Sequence, residues 1–192
     1  MIVGQPGAGK STFARALGAR TGLPVVHIDK IHWQSGWVER SPEEKSRLCG
    51  EVEAQERWIF EGGHSATWAN RIARADLLVW LDYPPALRLW RVLRRTLIGL
   101  GRTRPDMPDS CPEEFRRLPE FVRFIWTTRT TSRAQITRHA ATAPASCRVV
   151  RLSSNRDVRA FLTSLTSQAE PPTPGSAGHR RGDDAQKAAP CM

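Results

Sequence analysis

Short apolar runs alternate with helical patterns along most of the chain. Ile2-Val3 leads into a glycine-rich loop, after which Phe13, Ala14 and Leu17 recur at helical spacing until Thr21-Gly22 and Pro24 stop the helix. Val25-Val26-His27-Ile28 reads as a buried strand ending at Asp29, and Trp58-Ile59-Phe60 as another ending at Glu61. Leu77-Leu78-Val79-Trp80-Leu81 is the clearest strand and ends at Asp82, while Arg148-Val149-Val150-Arg151-Leu152 is a fifth. Ser41-Pro42-Glu43-Glu44 supplies a helix N-cap, a proline at the first helical position and a capping-box glutamate. Asn155 precedes a last amphipathic helix carrying Val158, Phe161, Leu162 and Leu165, and no internal repeat is visible.

Strands alternating with helices predict an α/β fold: a parallel sheet covered on both faces, with ligands at the carboxyl ends of its strands. The glycine loop, Asp29, Glu61 and Asp82 would then share one rim.

Gly4-Gln5-Pro6-Gly7-Ala8-Gly9-Lys10-Ser11 fits G-x-x-x-x-G-K-S at every fixed position, between an apolar strand and an amphipathic helix. Glycines let such a loop curl until its N–H groups face a phosphate chain, and the positive end of the next helix adds to the attraction. Lys10 would reach the β- and γ-phosphates of ATP, Ser11 would ligate Mg²⁺, and the loop through Thr12 would line the nucleotide. The strand before the loop has only Ile2 and Val3 after Met1, against about five residues in an ordinary strand, so either the strand is truly short or the start lies downstream of the native one, the second being the expectation.

Composition narrows this picture little. At 192 residues one domain is expected. Residues 167–192, rich in Pro, Gly, Ala and Ser and without aromatic or branched aliphatic side chains beyond Ser167, are expected to form a disordered tail. No stretch reaches the roughly 18 apolar residues of a membrane span, so a soluble, cytoplasmic protein is expected, without a membrane partner. Cys49, Cys111, Cys147 and Cys191 lack metal-ligand or disulfide spacing. A formal net charge of +10 predicts attraction to anions without choosing among nucleotides, acidic metabolites and nucleic acid. Nucleic acid is the less favoured partner, because no helix-turn-helix, zinc-finger or RNA-binding signature accompanies the charge. Oligomeric state is left open.

Four further segments carry a resemblance: HIDKIHWQSGWVERSPEE, WIFEGGHS, RADLLVWLDYP and LWRVLRRTLIGLGRTRPDM. Together, over about residues 1–165, they resemble the topology modulation proteins, adenylate kinase-like P-loop proteins of the nucleoside monophosphate kinase superfamily. The resemblance implies a five-stranded parallel sheet in the order 2-3-1-4-5, and the loop motif, the arginines after the fourth strand and the strand-end acids together make a phosphotransferase using ATP and Mg²⁺ on a nucleotide or small-molecule acceptor the expectation. The resemblance also implies a domain over 1–166 with a substrate-side segment at about 30–57 and an arginine-bearing lid at about 95–112. The family name brings a rival, an ATP-responsive regulator associated with nucleic acid. WIFEGGHS departs from the family's W-I-hydrophobic-D-G-N-Y-S, so Glu61, Gly63 and His64 replace an acid, an amide and a tyrosine.

Against that background, Asp29 is the candidate to orient or deprotonate an acceptor hydroxyl. Glu61, by the resemblance, is the candidate to hold a magnesium-bound water, and Asp82 is given a structural role. Trp33, Trp37, His32 and Arg40 are candidates for a stacking wall with an anion contact, and Gly62 and Gly63 for the substrate rim. Arg88, Arg91 and Arg95 share one helix face, opposite Trp90, Leu93 and Leu97, and run into the glycine- and proline-punctuated GLGRTRPDMPDSCP. Arg91, Arg95, Arg102 and Arg104 are therefore the candidates to neutralise charge on a migrating phosphoryl group, with Arg129 and Arg133 as reserves. His27, His64 and His139 are read as structural, with His64 alone near the rim.

Overall fold

The structure is a computed structural model that describes residues 1–167; the expected tail, and Cys191 with it, lies outside the described residues. Its elements run β1 (Ile2–Gly4), α1 (Lys10–Thr21), β2 (Val25–His27), α2 (Ile28–His32), β3 (Trp33–Gln34), β4 (Val38–Glu39), α3 (Pro42–Glu53) and β5 (Ile59–Glu61). They continue α4 (Trp68–Ala73), β6 (Leu77–Leu81), α5 (Pro85–Gly99), α6 (Leu118–Thr127), α7 (Arg129–Ala141), β7 (Arg148–Leu152) and α8 (Asn155–Ser167).

Five strands pair in parallel in the order β2-β5-β1-β6-β7. Counted within this sheet alone, that is second, third, first, fourth, fifth, as the resemblance implied. The other two strands, β3 and β4, form a small antiparallel ribbon after α2.

Strand alternation divides the core between the sheet's faces. Ile2, Val79 and Leu81 meet Phe13, Ala14 and Leu17 of α1 and Phe161 and Leu162 of α8. Their neighbours Val3, Leu78 and Trp80 meet Trp68 and Ile72 of α4 and Ile136 of α7 on the other face. Ile28, Ile31, Cys49 and Phe60 form a third cluster beneath α2 and α3. Each fully buried aliphatic or aromatic side chain here contributes about 1.5–3 kcal/mol, which fixes the sheet as a rigid platform for its C-terminal rim.

The local signals hold where they were strongest. Gly22 ends α1 in the left-handed region and donates its N–H to Gly18 O, and Ser41 Oγ accepts the Glu44 N–H at 3.2 Å at the start of α3. Two strand ends differ from expectation. The second strand stops at His27, and Asp29 sits in the first turn of α2, because Ile28 and Ile31 are buried at helical spacing against Cys49 and Phe60. Trp58 precedes β5 rather than opening it. No helix among the described residues is long and apolar enough to cross a membrane.

Candidate functional site

β1, β2 and β5 all end at one rim, and the loop from Gly4 to Gly9 closes that rim against α1. The loop is a close-packed turn. Gly7 lies at φ 79°, and a Cβ there would stand 2.4 Å from Arg88 O, so no side chain fits. Arg88, almost fully buried, donates Nε–H to Tyr83 O at 3.1 Å and Nη1–H to Pro6 O at 3.4 Å. Arg91 donates to Ala8 O at 3.4 Å and to Asn155 Oδ1 at 2.7 Å while stacking on Tyr83. Gln5 donates to Arg129 O at 2.6 Å, tying the loop to the junction of α6 and α7. Arg91 thus braces the loop from α5, a role its sequence assignment to phosphoryl charge did not include.

Inside the loop Lys10 Nζ lies 3.5 Å from Gln5 O, and Ser11 Oγ donates to Glu61 Oε1 at 2.9 Å. Glu61, 2% exposed, takes a second contact on the same oxygen from His27 Nδ1 at 2.7 Å. His27 is therefore part of the rim, a correction to its reading as a remote structural residue. Burial works to raise the nearby Asp106 carboxyl, but the Arg104 guanidinium beside it holds it below the usual carboxylate range.

Asp29 faces this group from α2. Although the residue keeps some exposure, its carboxyl is enclosed, and burial followed by the charge of Glu61 pushes it above the usual carboxylate range; Lys10 and Arg104 pull the other way. Gly62 follows Glu61 at φ 115°, where a Cβ would stand 2.0 Å from Ile28 Cγ2. The Gly62-Gly63 turn is held from below by Arg71. This guanidinium is fully buried, donates to Gly62 O and Gly63 O at 3.3 Å and to Thr67 Oγ1 at 2.7 Å, pairs with Glu53 at 3.3 Å, and stacks on Phe60. Trp68 Nε1–H adds a bond to Gly63 O at 3.0 Å. His64, also left-handed at φ 63°, approaches Ser46 at 3.1 Å.

The roof of the cleft is built by α5 and the segment after it. Arg104 lies 2.6 Å from Asp106 and 2.8 Å from Glu113, Arg95 lies 3.1 Å from Glu113, and Arg15 of α1 lies 3.5 Å from Asp106. Thr96 Oγ1 donates to the other Glu113 oxygen at 3.1 Å. The contacts of Glu113 with Arg95 and Arg104 are close but poorly aligned, so they act as charge pairs more than as hydrogen bonds. The roof also grips the β3–β4 ribbon. Gly36 N–H donates to Ser110 O, Trp37 Nε1–H to Pro112 O at 3.1 Å, and the Cys111 thiol, 1% exposed, to Gln34 O at 3.3 Å. Trp33 and Trp37 meet edge to face at 5.3 Å, with the Arg117 guanidinium 4.5 Å from the Trp37 ring centre.

One cavity of about 1320 Å³ connects these parts, lined among others by Lys10, Ser11, Asp29, Trp33, Arg95 and Arg104. That exceeds the roughly 300–1,000 Å³ of a pocket for one small ligand and leaves room for two. Gly62, Gly63 and His64 line it as well.

Four sequence candidates lie elsewhere, among them Arg129, whose guanidinium turns back to donate to Trp126 O and stacks on the Trp126 ring. Arg40 donates to the carbonyl oxygens of Lys30, Ile31 and Trp33 at 3.0, 2.9 and 2.9 Å and to Glu44 at 3.1 Å, so it caps the end of α2 instead of facing the cavity. Arg102 is exposed beyond the cavity wall. Arg133 pairs with Asp82 at 3.0 Å, and Arg151 binds the same carboxylate, consistent with the structural role given to Asp82. Sequence reasoning missed Asp106, Glu113, Arg71 and Glu53. Asp106 stood in the same RTRPD stretch as the lid arginines and could have been taken with them; the other three carry no motif.

No family model matches the chain. It is similar to the uncharacterized protein YqaC of Bacillus subtilis (strain 168), at 32% identity over 104 residues, 52% of this chain and 57% of that protein. The chain thus spans little more than half the length of that relative. Among solved structures it is similar to shikimate kinase from Acinetobacter baumannii in complex with shikimate, with a TM-score of 0.49 and 15% identity over 87% of this chain and 90% of that one.

Proposed function

We propose that the chain is a phosphotransferase that uses Mg²⁺-ATP to phosphorylate a hydroxyl of a small-molecule or nucleotide acceptor. The observation that carries this reading is the single cavity in which a complete phosphate loop, an enclosed carboxyl at Asp29 and the guanidinium groups of Arg95 and Arg104 meet. The motif resemblance to the topology modulation proteins supports the same reading.

The residues suit the nucleotide and the ion. The loop is a cradle in which a Cβ at Gly7 would collide with backbone, and Lys10 and Ser11 hang from its end into the cavity. Ser11 and Glu61 would hold Mg²⁺, Glu61 through water, and the bound ion would neutralise charge on the phosphate oxygens. Lys10 would hold the β- and γ-phosphates. Asp29, pushed up by burial and by Glu61, takes a proton more readily than an exposed aspartate and would accept the one released by the acceptor hydroxyl. The acceptor oxygen forms a bond to the γ-phosphorus, the bridging bond to ADP breaks, and Arg95 and Arg104 screen the charge in transit. Trp33, Trp37 and the Gly62-Gly63 turn would enclose the acceptor and exclude water.

The test is ADP release with Mg²⁺-ATP across nucleoside monophosphates, nucleosides and small hydroxyl or acid metabolites, with Lys10→Ala as control. Acceptor-dependent turnover that the control lacks would support the proposal and identify the acceptor class. ATP binding with slow, acceptor-independent hydrolysis would overturn it in favour of a nucleotide-responsive binding protein.

A further inference from the structure

β2 and β5 are neighbouring parallel strands whose register pairs His27 with Glu61. Strands lie about 4.8 Å apart and partners in register project to the same face, so the backbone alone delivers the imidazole to the carboxylate. The pairing cannot slip easily, because Ile28 after His27 and Gly62 after Glu61 are in such close contact that a single methyl at Gly62 would collide. His27 and Glu61 are both buried, and Nδ1 stands 2.7 Å from Oε1. Facing a carboxylate, Nδ1 is the nitrogen that carries the proton. Ser11 Oγ reaches the same oxygen at 2.9 Å from α1. The glutamate that departs from the family's aspartate thus has one oxygen shared by two donors from two different elements.

The two donors are not equivalent. Under the proposed function Ser11 would be a ligand of the cation, and its hydroxyl would then no longer be free to serve Glu61. A buried carboxylate that accepts from a cation-bound water in place of Ser11 still needs a donor fixed by the protein to keep its orientation, and His27 is the one that the strand register supplies. We propose that His27 is a positioning residue for the cation site, holding Oε1 of Glu61 through Nδ1–H so that the carboxylate stays oriented when Ser11 leaves it. The inference rests on the Mg²⁺-ATP reading given above. It assigns His27 no contact with nucleotide or acceptor.

The test measures ATP binding by the full chain through titration calorimetry, with and without Mg²⁺, in the wild type and in His27→Leu, His27→Asn and His27→Gln. An asparagine amide nitrogen falls close to the place of Nδ1, whereas that of glutamine reaches past it. Partners that orient a metal's ligands are worth about 10–100-fold in metal affinity. His27→Leu and His27→Gln should therefore need about 10–100-fold more Mg²⁺ for half of the tightening of ATP binding, while His27→Asn stays close to the wild type. Metal-free ATP binding should be the same in all four, since the phosphate loop does not touch His27. If His27→Leu fails to fold, the contrast between the two amides carries the test. Unchanged Mg²⁺ dependence in His27→Leu or His27→Gln would overturn the inference, as would an equal loss in His27→Asn. A wild type whose ATP binding is indifferent to Mg²⁺ would overturn this inference and the magnesium part of the proposed function together. A wild type that responds to Mg²⁺ with indifferent variants would overturn this inference alone.

Discussion

On the floor of the cleft, the phosphate loop and the Gly62-Gly63 turn are held by backbone contacts and by guanidinium groups: buried Arg88 and half-buried Arg91 on the carbonyls of Pro6 and Ala8, buried Arg71 on those of Gly62 and Gly63. On the roof, Arg95 and Arg104 are held by the carboxylates of Glu113 and Asp106. Arginine does both jobs, but with different partners. A guanidinium bound to carbonyls keeps its place whatever anion enters, so the floor is preorganised. A guanidinium bound to a carboxylate can exchange that partner for a phosphate, so under the proposed function the roof would respond to the nucleotide. The contrast explains why a chain so rich in arginine presents few of them to its cavity without a partner of opposite charge.

The largest effect is expected at Asp29, on the floor. Asp29→Asn should lower kcat/KM about 10²–10⁴-fold, measured at saturating Mg²⁺-ATP once an acceptor is known, and should remove the acidic limb of the pH profile. Its folded value lies above its unfolded one, so the ionised carboxyl weakens the fold at neutral pH. The variant should therefore melt higher than the wild type near neutrality, and the gain should fade as the pH falls into the usual carboxylate range. A lower melting temperature at neutral pH would contradict the enclosed position of this carboxyl.

Arg71 comes next. Arg71→Met strands Glu53 without its counter-charge in the core and should lower stability by about 3–5 kcal/mol in chemical denaturation. Adding Glu53→Leu should recover most of that loss, because replacing both partners leaves no buried charge; failure to recover would show that Arg71 acts through its bonds to Gly62 O, Gly63 O and Thr67 Oγ1 rather than through the ion pair.

Gly7→Ala tests the floor's backbone directly. The collision with Arg88 O should displace the loop and weaken ATP binding, and a displacement on the order of 1 Å should cost roughly 10²-fold in turnover. Stability should fall by about 1–3 kcal/mol for the left-handed position. A loop that accepts the methyl at little cost to binding would not be preorganised.

The smallest effect belongs to the roof. Glu113→Gln keeps an acceptor for Thr96 yet removes the charge that Arg95 and Arg104 share. ATP should bind about 2–5-fold tighter at low salt, the worth of a partly exposed ion pair, and the advantage should shrink as ionic strength rises. Weaker binding would make Glu113 a support of the roof rather than a competitor for its arginines.

Much of this architecture was legible without coordinates. The loop motif, the five strands and the caps of α1 and α3 are local, encoded by short-range sterics and by periods of two and 3.6 residues. The rim was legible for the same reason, since strand ends follow from strand positions. Arg40 and Arg102 were misplaced because an arginine's sequence neighbours do not reveal what its long side chain will reach: one found the carbonyl end of a helix and the other found solvent. Asp106 and Glu113 went unread because nothing in their neighbourhoods marks a buried acid.

The sequence by itself determined the parallel sheet, the phosphate loop at the end of its first strand and the arginine-bearing segment after the fourth. Only the tertiary structure decided that His27 and Ser11 share one oxygen of Glu61, that Arg71 supports the turn beside it, and that the arginines of the roof rest on Glu113 and Asp106. Each of these contacts joins residues brought together by strand register or helix packing. Their partners are far apart in the chain or on different elements, and a burial that costs several kcal/mol when unpaired is visible only once both partners are in place.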